Sequence, residues 1–299
     1  MKKNLKLFSF LCLISLVLFV ACGGNAEEQS TTNDSLVNME TKTEIKIAND
    51  TIVYFSFFSE KDVKCAIQYP KEKAEACILL LHGWNLPSEE WCEKTGFCER
   101  AKAENYVLII PDFGKTNYGL EVYPQTIDSY AIYPSLQWMM NEFIPQLQEQ
   151  YNLLQEEQYN FVAGISTGGR GASLFAYHMP EIFSGAASLS GDFDIYDLKD
   201  EYIFYSFFGK YDDFPARWEK QAFVNDCENY IVPTYIGHGR NDNVADVSHS
   251  IKMYDSIKKH QPNMLLECHF PDTAEHNYAY WNSEIENVLR FFNSVKNEE

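Results

Sequence analysis

The sequence predicts an α/β protein: a mostly parallel central sheet flanked by helices, preceded by antiparallel strands. Short apolar runs alternate with segments of helical period, which is the pattern of βαβ units. Strand-like runs at the start are separated by a turn signal. Residues 45–299 are aromatic-rich and of a length that suits one domain of this class. At the N-terminal edge, Asn49-Asp50 divides Thr43–Ala48 from Thr51–Phe58 and suggests a hairpin, and Asp62–Tyr69 adds a third, weakly alternating strand. Cys77–Leu81 is a buried strand ending in His82-Gly83-Trp84, and Tyr106–Ile110 is another ending in Pro111-Asp112. Glu89–Asn105 reads as the helix between them. Ser135–Tyr151 carries Leu136, Met139, Met140, Phe143, Ile144 and Leu147 at helical spacing and leads into the strand beginning at Tyr159. Gly185–Ser190, Val232–Gly237 and Met264–Phe270 are the later strands, and Ser283–Val295 is a terminal helix.

Ahead of this domain lies a different kind of chain. Lys2, Lys3 and Lys6 precede the nearly unbroken apolar run Leu7–Val20, and Ala21-Cys22-Gly23 follows. A basic start, about 14 apolar residues and a small residue before the cut describe an export signal over residues 1–21. The apolar run falls short of the roughly 20 residues that span a bilayer. Phe19-Val20-Ala21-Cys22 resembles a lipobox, with phenylalanine where leucine is usual, which implies diacylation of Cys22 and anchoring at the cell envelope. The rivals are plain secretion with cleavage near Ala21 and an uncleaved anchor. Residues 22–44 are polar and free of aromatic side chains, so they cannot offset their ordering entropy and are expected to form a tether.

Lysine and arginine number 24 against 43 acids, a net charge of −19 that becomes −22 once the three leader lysines are cut away. Such a surface repels nucleic acid and anionic polymers and favours neutral or cationic substrates. Six cysteines remain beyond Cys22, in no zinc-binding spacing. Export permits disulfides, and Cys92 with Cys98 form the expected local pair, while Cys77 and Cys268 are expected as buried thiols in strands.

The chemistry centres on Gly164-Ile165-Ser166-Thr167-Gly168, directly after the apolar run Tyr159–Ala163 and before Gly169-Arg170-Gly171-Ala172. In a nucleophile elbow a strand turns sharply into a helix, and the serine at the apex occupies a strained conformation. Small residues on either side let the two backbones approach. Serine needs a general base, itself oriented by a carboxylate. The order serine, acid, histidine is met by Asp242, 76 residues past Ser166, and His276, 34 beyond that. Each follows a separate late strand, where catalytic groups of such sheets belong.

GISTGGRGA over residues 164–172 resembles the elbow of the α/β-hydrolase fold, and its doubled glycine is similar to the esterase D group, which includes formylglutathione hydrolases and feruloyl and acetylxylan esterases. Ser188-Leu189-Ser190-Gly191-Asp192 resembles the strand end after the elbow in those enzymes, and His276-Asn277-Tyr278-Ala279-Tyr280-Trp281 their histidine loop. The similarity covers residues 76–296 and departs at Thr167, where methionine is more usual. It implies two oxyanion donors, the N–H groups of Thr167 and, in the H-G-x loop, Trp84. It also implies a cofactor-free, metal-free serine esterase acting on small-molecule or carbohydrate esters through an acyl-enzyme. A peptidase of the same fold and a non-catalytic surface binding protein remain as alternatives; oligomeric state is open.

Other residues have plainer expected roles. His238 braces the acid loop rather than titrating in catalysis, Asp246 is a rival acid, Asp112 caps a loop with substrate binding as the alternative, and Arg170 meets either an acid or substrate. His178 and His249 lie on helix faces without an evident partner, and His269 packs within a strand. The aromatic residues 202–208, Tyr211, Phe214 and Trp218 line either a substrate site or an edge of the core.

Overall fold

The computed structural model describes residues 45–47, 50–57, 61–225 and 227–297. The expected export signal, Cys22 and the expected tether lie outside the described residues, and every described element belongs to the unit spanning residues 42–299. No helix among the described residues is long and apolar enough to cross a membrane.

Among the described residues nine strands form one sheet: β1 (Ile45–Ile47), β2 (Asp50–Ser56), β3 (Asp62–Gln68), β4 (Ala76–Leu81), β5 (Tyr106–Pro111), β6 (Tyr159–Ile165), β7 (Gly185–Leu189), β8 (Thr234–Gly237) and β9 (Leu266–His269). Their spatial order is β1-β2-β3-β5-β4-β6-β7-β8-β9. The pairs β1–β2, β2–β3 and β3–β5 are antiparallel; all others are parallel. This is the α/β-hydrolase fold with N-terminal antiparallel strands. The hairpin register pairs Ile47 with Asp50, so Asp50 belongs to β2 rather than to the turn.

Side chains of β4 alternate between two cores. Cys77, Leu79 and Leu81 face one that includes Leu136, Phe143, Leu147, Leu174 and Met253, from helices on one side of the sheet. Ile78 and Leu80 face another with Trp91, Phe97, Ile285, Val288 and Phe292 from the other side. Helices on both faces explain why β4 and β5 are buried throughout and read as unbroken apolar runs. From β4 the chain crosses to β5 on one side, and from β6 to β7 on the other. The C-terminal ends of β4 and β6 therefore flank a topological switch point, where doubly wound sheets open a crevice.

Several expected elements differ in detail. The helix expected over Glu89–Asn105 is two helices, Glu90–Lys94 and Phe97–Ala103. At the break the Thr95 hydroxyl donates to the Trp91 carbonyl and accepts from Phe97 N–H, replacing helical bonds across Thr95-Gly96. Cys92 and Cys98 join across the break in a disulfide. The helix expected from Ser135 runs to Tyr151, but Met139–Phe143 is π-helical: Ile144 N–H donates to Met139 O, just before Pro145, which has no N–H to give. The terminal helix starts at Tyr278, five residues early, because the Asn277 side chain accepts from Tyr280 N–H and caps it there. Cys77 is a buried thiol as expected, but Cys268 is exposed, and His269 is half exposed and hydrogen-bonds Glu284. Both sit on β9, the sheet edge, where packing covers only part of the strand.

Candidate active site

Ser166 follows β6 with φ 55° and ψ −129° and starts the helix Thr167–His178. That left-handed backbone is costly for serine and persists only where surroundings impose it. Here the flanking glycines allow the imposition. A Cβ on Gly164 would lie 2.0 Å from Gly168 O, and one on Gly168 would lie 2.4 Å from the carbonyl oxygens of Leu81 and His82. Ser166 N–H, turned away from its own strand, donates to Leu189 O at 2.8 Å. The result is a half-buried hydroxyl at the apex of an elbow, at the mouth of the switch point.

His276 and Asp242 reach the same place from the loops after β9 and β8. His276 Nε2 lies 2.9 Å from Ser166 Oγ, and its Nδ1 lies 2.7 Å from Asp242 Oδ2. With Nδ1–H donating to the carboxylate, Nε2 is left as the acceptor for the serine proton. Asp242 is pinned at both oxygens. Oδ1 accepts from Val244 and Ala245 N–H at 2.9 Å each, and Oδ2 also lies 3.3 Å from His238 Nε2. Burial pushes the Asp242 carboxyl upward. The hydrogen bonds from His238, His276 and the two backbone N–H groups outweigh it and hold the carboxyl well below the usual range. His238 is itself fixed by Ser250 Oγ at 2.7 Å and Ala245 O at 2.9 Å, and so braces the acid loop as expected. The rival acid, Asp246, is instead the exposed N-cap of the helix Val247–His260, accepting from Ser248 N–H at 2.8 Å.

The loop after β4 closes the other side. Gly83 abuts Ser166: a Cβ there would meet Ser166 Cβ at 3.0 Å, which brings the backbone leading into Trp84 close to the hydroxyl. Thr167 N–H is the first donor of the elbow helix and has no carbonyl behind it within the helix. His82, unassigned by sequence reasoning beyond its place in H-G-x, holds this loop in register. Its Nε2 accepts from Phe113 N–H at 2.8 Å, so the proton resides on Nδ1, 2.7 Å from Gly83 O. Burial lowers the His82 pKa, consistent with a neutral ring. Asp112 caps its own loop, accepting from Gly114 N–H at 3.1 Å.

Two charged residues complete the surroundings. Arg170, in the first turn of the elbow helix, is fully buried, and Asp192, after β7, is 8% exposed. Burial drives the Asp192 carboxyl up to about 6, against the opposing pull of Arg170, a backbone hydrogen bond, His276 and His238. His249 is not without a partner: it is buried and accepts from Phe193 and Asp194 N–H. His178 is half buried, with Tyr177 edge-on at 5.0 Å. The aromatic cluster is a satellite core of Tyr130, Ile195, Phe204, Phe207, Phe208 and Trp218, with the half-buried Trp84 packed on it, 5.1 Å from Tyr130 and edge-on. Among the described residues no group of acidic, histidine or cysteine side chains is arranged to hold a metal ion.

A family model described as "Putative esterase" matches residues 58–292. The chain belongs to the Esterase family. It is accordingly a carboxylic-ester hydrolase. Solved structures agree on the fold. The S-formylglutathione hydrolase of Agrobacterium tumefaciens shares 16% identity over 85% of this chain and 98% of its own, with a TM-score of 0.66. Fluorophosphonate-binding serine hydrolase F of Staphylococcus aureus shares 17% over 81% and 97%, with a TM-score of 0.62. An acylaminoacyl peptidase shares 13% over 82% of this chain but only 41% of its own, at 0.60. At these identities the likeness is one of fold. No curated protein matches the sequence.

Proposed function

We propose that this esterase works through a Ser166–His276–Asp242 triad and an acyl-enzyme. The observation that carries the reading is the unbroken chain of contacts from Asp242 through His276 to a serine held at positive φ. Ser166 Oγ attacks the ester carbonyl carbon while His276 Nε2 takes the hydroxyl proton, and Asp242 holds the tautomer and stabilises the imidazolium. Thr167 and Trp84 N–H groups receive the developing oxyanion. The imidazolium then protonates the departing alkoxide. A water, deprotonated by His276, attacks the acyl-enzyme, and the carbonyl re-forms as Ser166 leaves with the proton. None of these steps calls on a metal or an organic cofactor.

The substrates we propose are short-acyl esters, including acyl groups on neutral carbohydrates. The net charge of −19 supports this by disfavouring anionic polymers. We further propose that the domain is exported and tethered to the cell envelope by a diacylated Cys22 and residues 22–44, on the strength of the leader's sequence. The test of the triad is Ser166→Ala assayed on 4-nitrophenyl acetate beside fluorophosphonate labelling of the wild type. Turnover should fall on the order of 10⁶-fold, as when one member of a cooperating triad is lost. A variant retaining a tenth of the activity would remove Ser166 from the mechanism. Faster cleavage of dipeptidyl amides than of any acetyl, feruloyl or thiol ester would make the chain a peptidase.

A further inference from the structure

We infer that Tyr118 is a positioning residue of the oxyanion hole: bonded through its hydroxyl to the His82 carbonyl and packed through its ring on Gly171, it sets the loop carrying Trp84 N–H against the helix start carrying Thr167 N–H. The inference rests on the reading of those two groups as the oxyanion donors.

A hole built from backbone N–H groups needs its peptide units aimed before substrate arrives. Trp84 N–H follows Gly83, whose permissive backbone cannot fix that aim by itself. Three consecutive carbonyls at this point each accept from a side chain. Leu81 O accepts from Trp91 Nε1 at 3.1 Å, His82 O from the Tyr118 hydroxyl at 2.9 Å, and Gly83 O from His82 Nδ1 at 2.7 Å. A peptide unit is planar, so holding Gly83 O aims Trp84 N–H, and holding His82 O fixes the unit before it. Tyr118 reaches this loop from beyond β5, 36 residues away from His82.

The same side chain bears on the helix that starts at Thr167. A Cβ on Gly171 would lie 2.6 Å from Tyr118 Cδ1, so the ring rests directly on the helix backbone. The first turn of that helix also meets the carbonyl that Tyr118 holds, since a Cβ on Gly168 would lie 2.4 Å from His82 O. Tyr118 itself has φ 55°, a left-handed conformation that is costly for a bulky residue and persists only where surroundings over-determine it. They do so here. Tyr118 N–H donates to Thr116 Oγ at 3.0 Å, which donates in turn to Pro134 O at 3.0 Å, and Gly119 N–H donates to Asn117 Oδ1 at 2.9 Å. Leu120 N–H donates to Gln221 Oε1, which also accepts from Arg170 Nη2 of the elbow helix. Phenylalanine would fill the same buried space, so packing does not call for tyrosine; the hydroxyl does. Burial raises its pKa well above the ordinary value and keeps it a donor.

The experiment is Tyr118→Phe assayed on 4-nitrophenyl acetate, with an alkyl trifluoromethyl ketone as inhibitor. Ser166 Oγ adds to the ketone carbon as His276 takes the proton, and the carbonyl oxygen becomes an oxyanion that mimics the intermediate. Acylation and deacylation both pass through such an oxyanion, so both should slow together. The expected result is a fall of about ten- to hundredfold in kcat, KM near the wild-type value, and ketone affinity weakened by the same factor as kcat/KM. An unchanged kcat with a lower urea midpoint would make Tyr118 a packing residue only, and a raised KM at unchanged kcat would make it a substrate contact; either overturns the inference. If the phenylalanine variant does not fold, Gly171→Ala decides, because its methyl would displace the Tyr118 ring. The same split is expected there, and wild-type kcat and ketone affinity would overturn the inference. A wild type that hydrolyses no ester and is not inhibited by the ketone would refute the reading of the site, and the role of Tyr118 with it.

Discussion

Replacing Asp242 by asparagine tests the site at its most constrained atom pair. The carboxylate accepts at both oxygens: Oδ1 from Val244 and Ala245 N–H, Oδ2 from His276 Nδ1 with His238 Nε2 at 3.3 Å. An asparagine must place its NH₂ on one side. Toward the backbone it would leave two N–H donors facing another donor, at about 1–3 kcal/mol each. Toward the histidines it strands no backbone group but forces His276 to accept at Nδ1. The second orientation is therefore favoured, and it moves the imidazole proton to Nε2, where it blocks the transfer from Ser166. The expected loss is about 10⁴-fold in kcat with KM little changed, as for the same tautomer error in a serine protease, or about 5.4 kcal/mol of transition-state stabilisation. Stability responds with a definite sign. The folded pKa lies below the unfolded value, so the wild-type carboxylate stabilises the fold at neutral pH, and that contribution fades as pH falls from the unfolded value toward the folded one. The asparagine variant should show a flatter dependence of urea stability on pH below about 5. Steady-state kinetics on 4-nitrophenyl acetate and urea titrations from pH 3 to 8 provide the readouts. An Asp242→Asn enzyme within tenfold of wild-type kcat would refute the reasoning.

Gly83→Ala should fold yet lose about tenfold in kcat. Its methyl would press on Ser166 Cβ and Leu86 Cδ1 at 3.0 Å, and a shift of a few tenths of an ångström at the nucleophile is enough for that; an unchanged kcat would contradict the close approach. Asp246→Ala should cost about 1 kcal/mol in thermal or urea unfolding through loss of its cap while sparing kcat, and a triad-sized loss of kcat would reassign the acid. Cys22→Ser should release the protein from the membrane fraction or stall it as precursor, because two acyl chains anchor where one does not. Mass spectrometry finding a mature N-terminus other than modified Cys22 would end the lipoprotein proposal.

The site was legible because each of its parts has a local signature. Small residues around Ser166 mark backbone crowding, and Asp242 and His276 each follow an apolar run in the order the fold requires. What escaped reading depends on contacts distant in sequence. Arg170 acts on the Asp192 carboxyl through its charge only once β6 and β7 pair, and His82 finds Phe113 N–H across the β4–β5 crossover. Cys268 and His269 look like core from their neighbours, but an edge position is a property of the whole sheet. The helix break at Thr95-Gly96 was visible in residue type, and helical period over Glu89–Asn105 masked it. Asn277 likewise stands before an aromatic stretch that reads first as a motif and only second as a capped first turn.

The placement of Asp242 and His276 has a kinetic consequence. Both hang from β8 and β9, strands of four residues each at one margin of the sheet. β8 joins the rest of the sheet through β7, and β9 through β8, so His276 and Asp242 reach Ser166 only once this margin has docked on β7. The same geometry runs in reverse under stress. Partial opening of that margin separates His276 and Asp242 from Ser166 while the central strands stay shut, so under the proposed triad inactivation should precede global unfolding. Enzyme activity thus reports the integrity of the molecule's most peripheral pairing, and spectroscopic signals from the buried core report a later event.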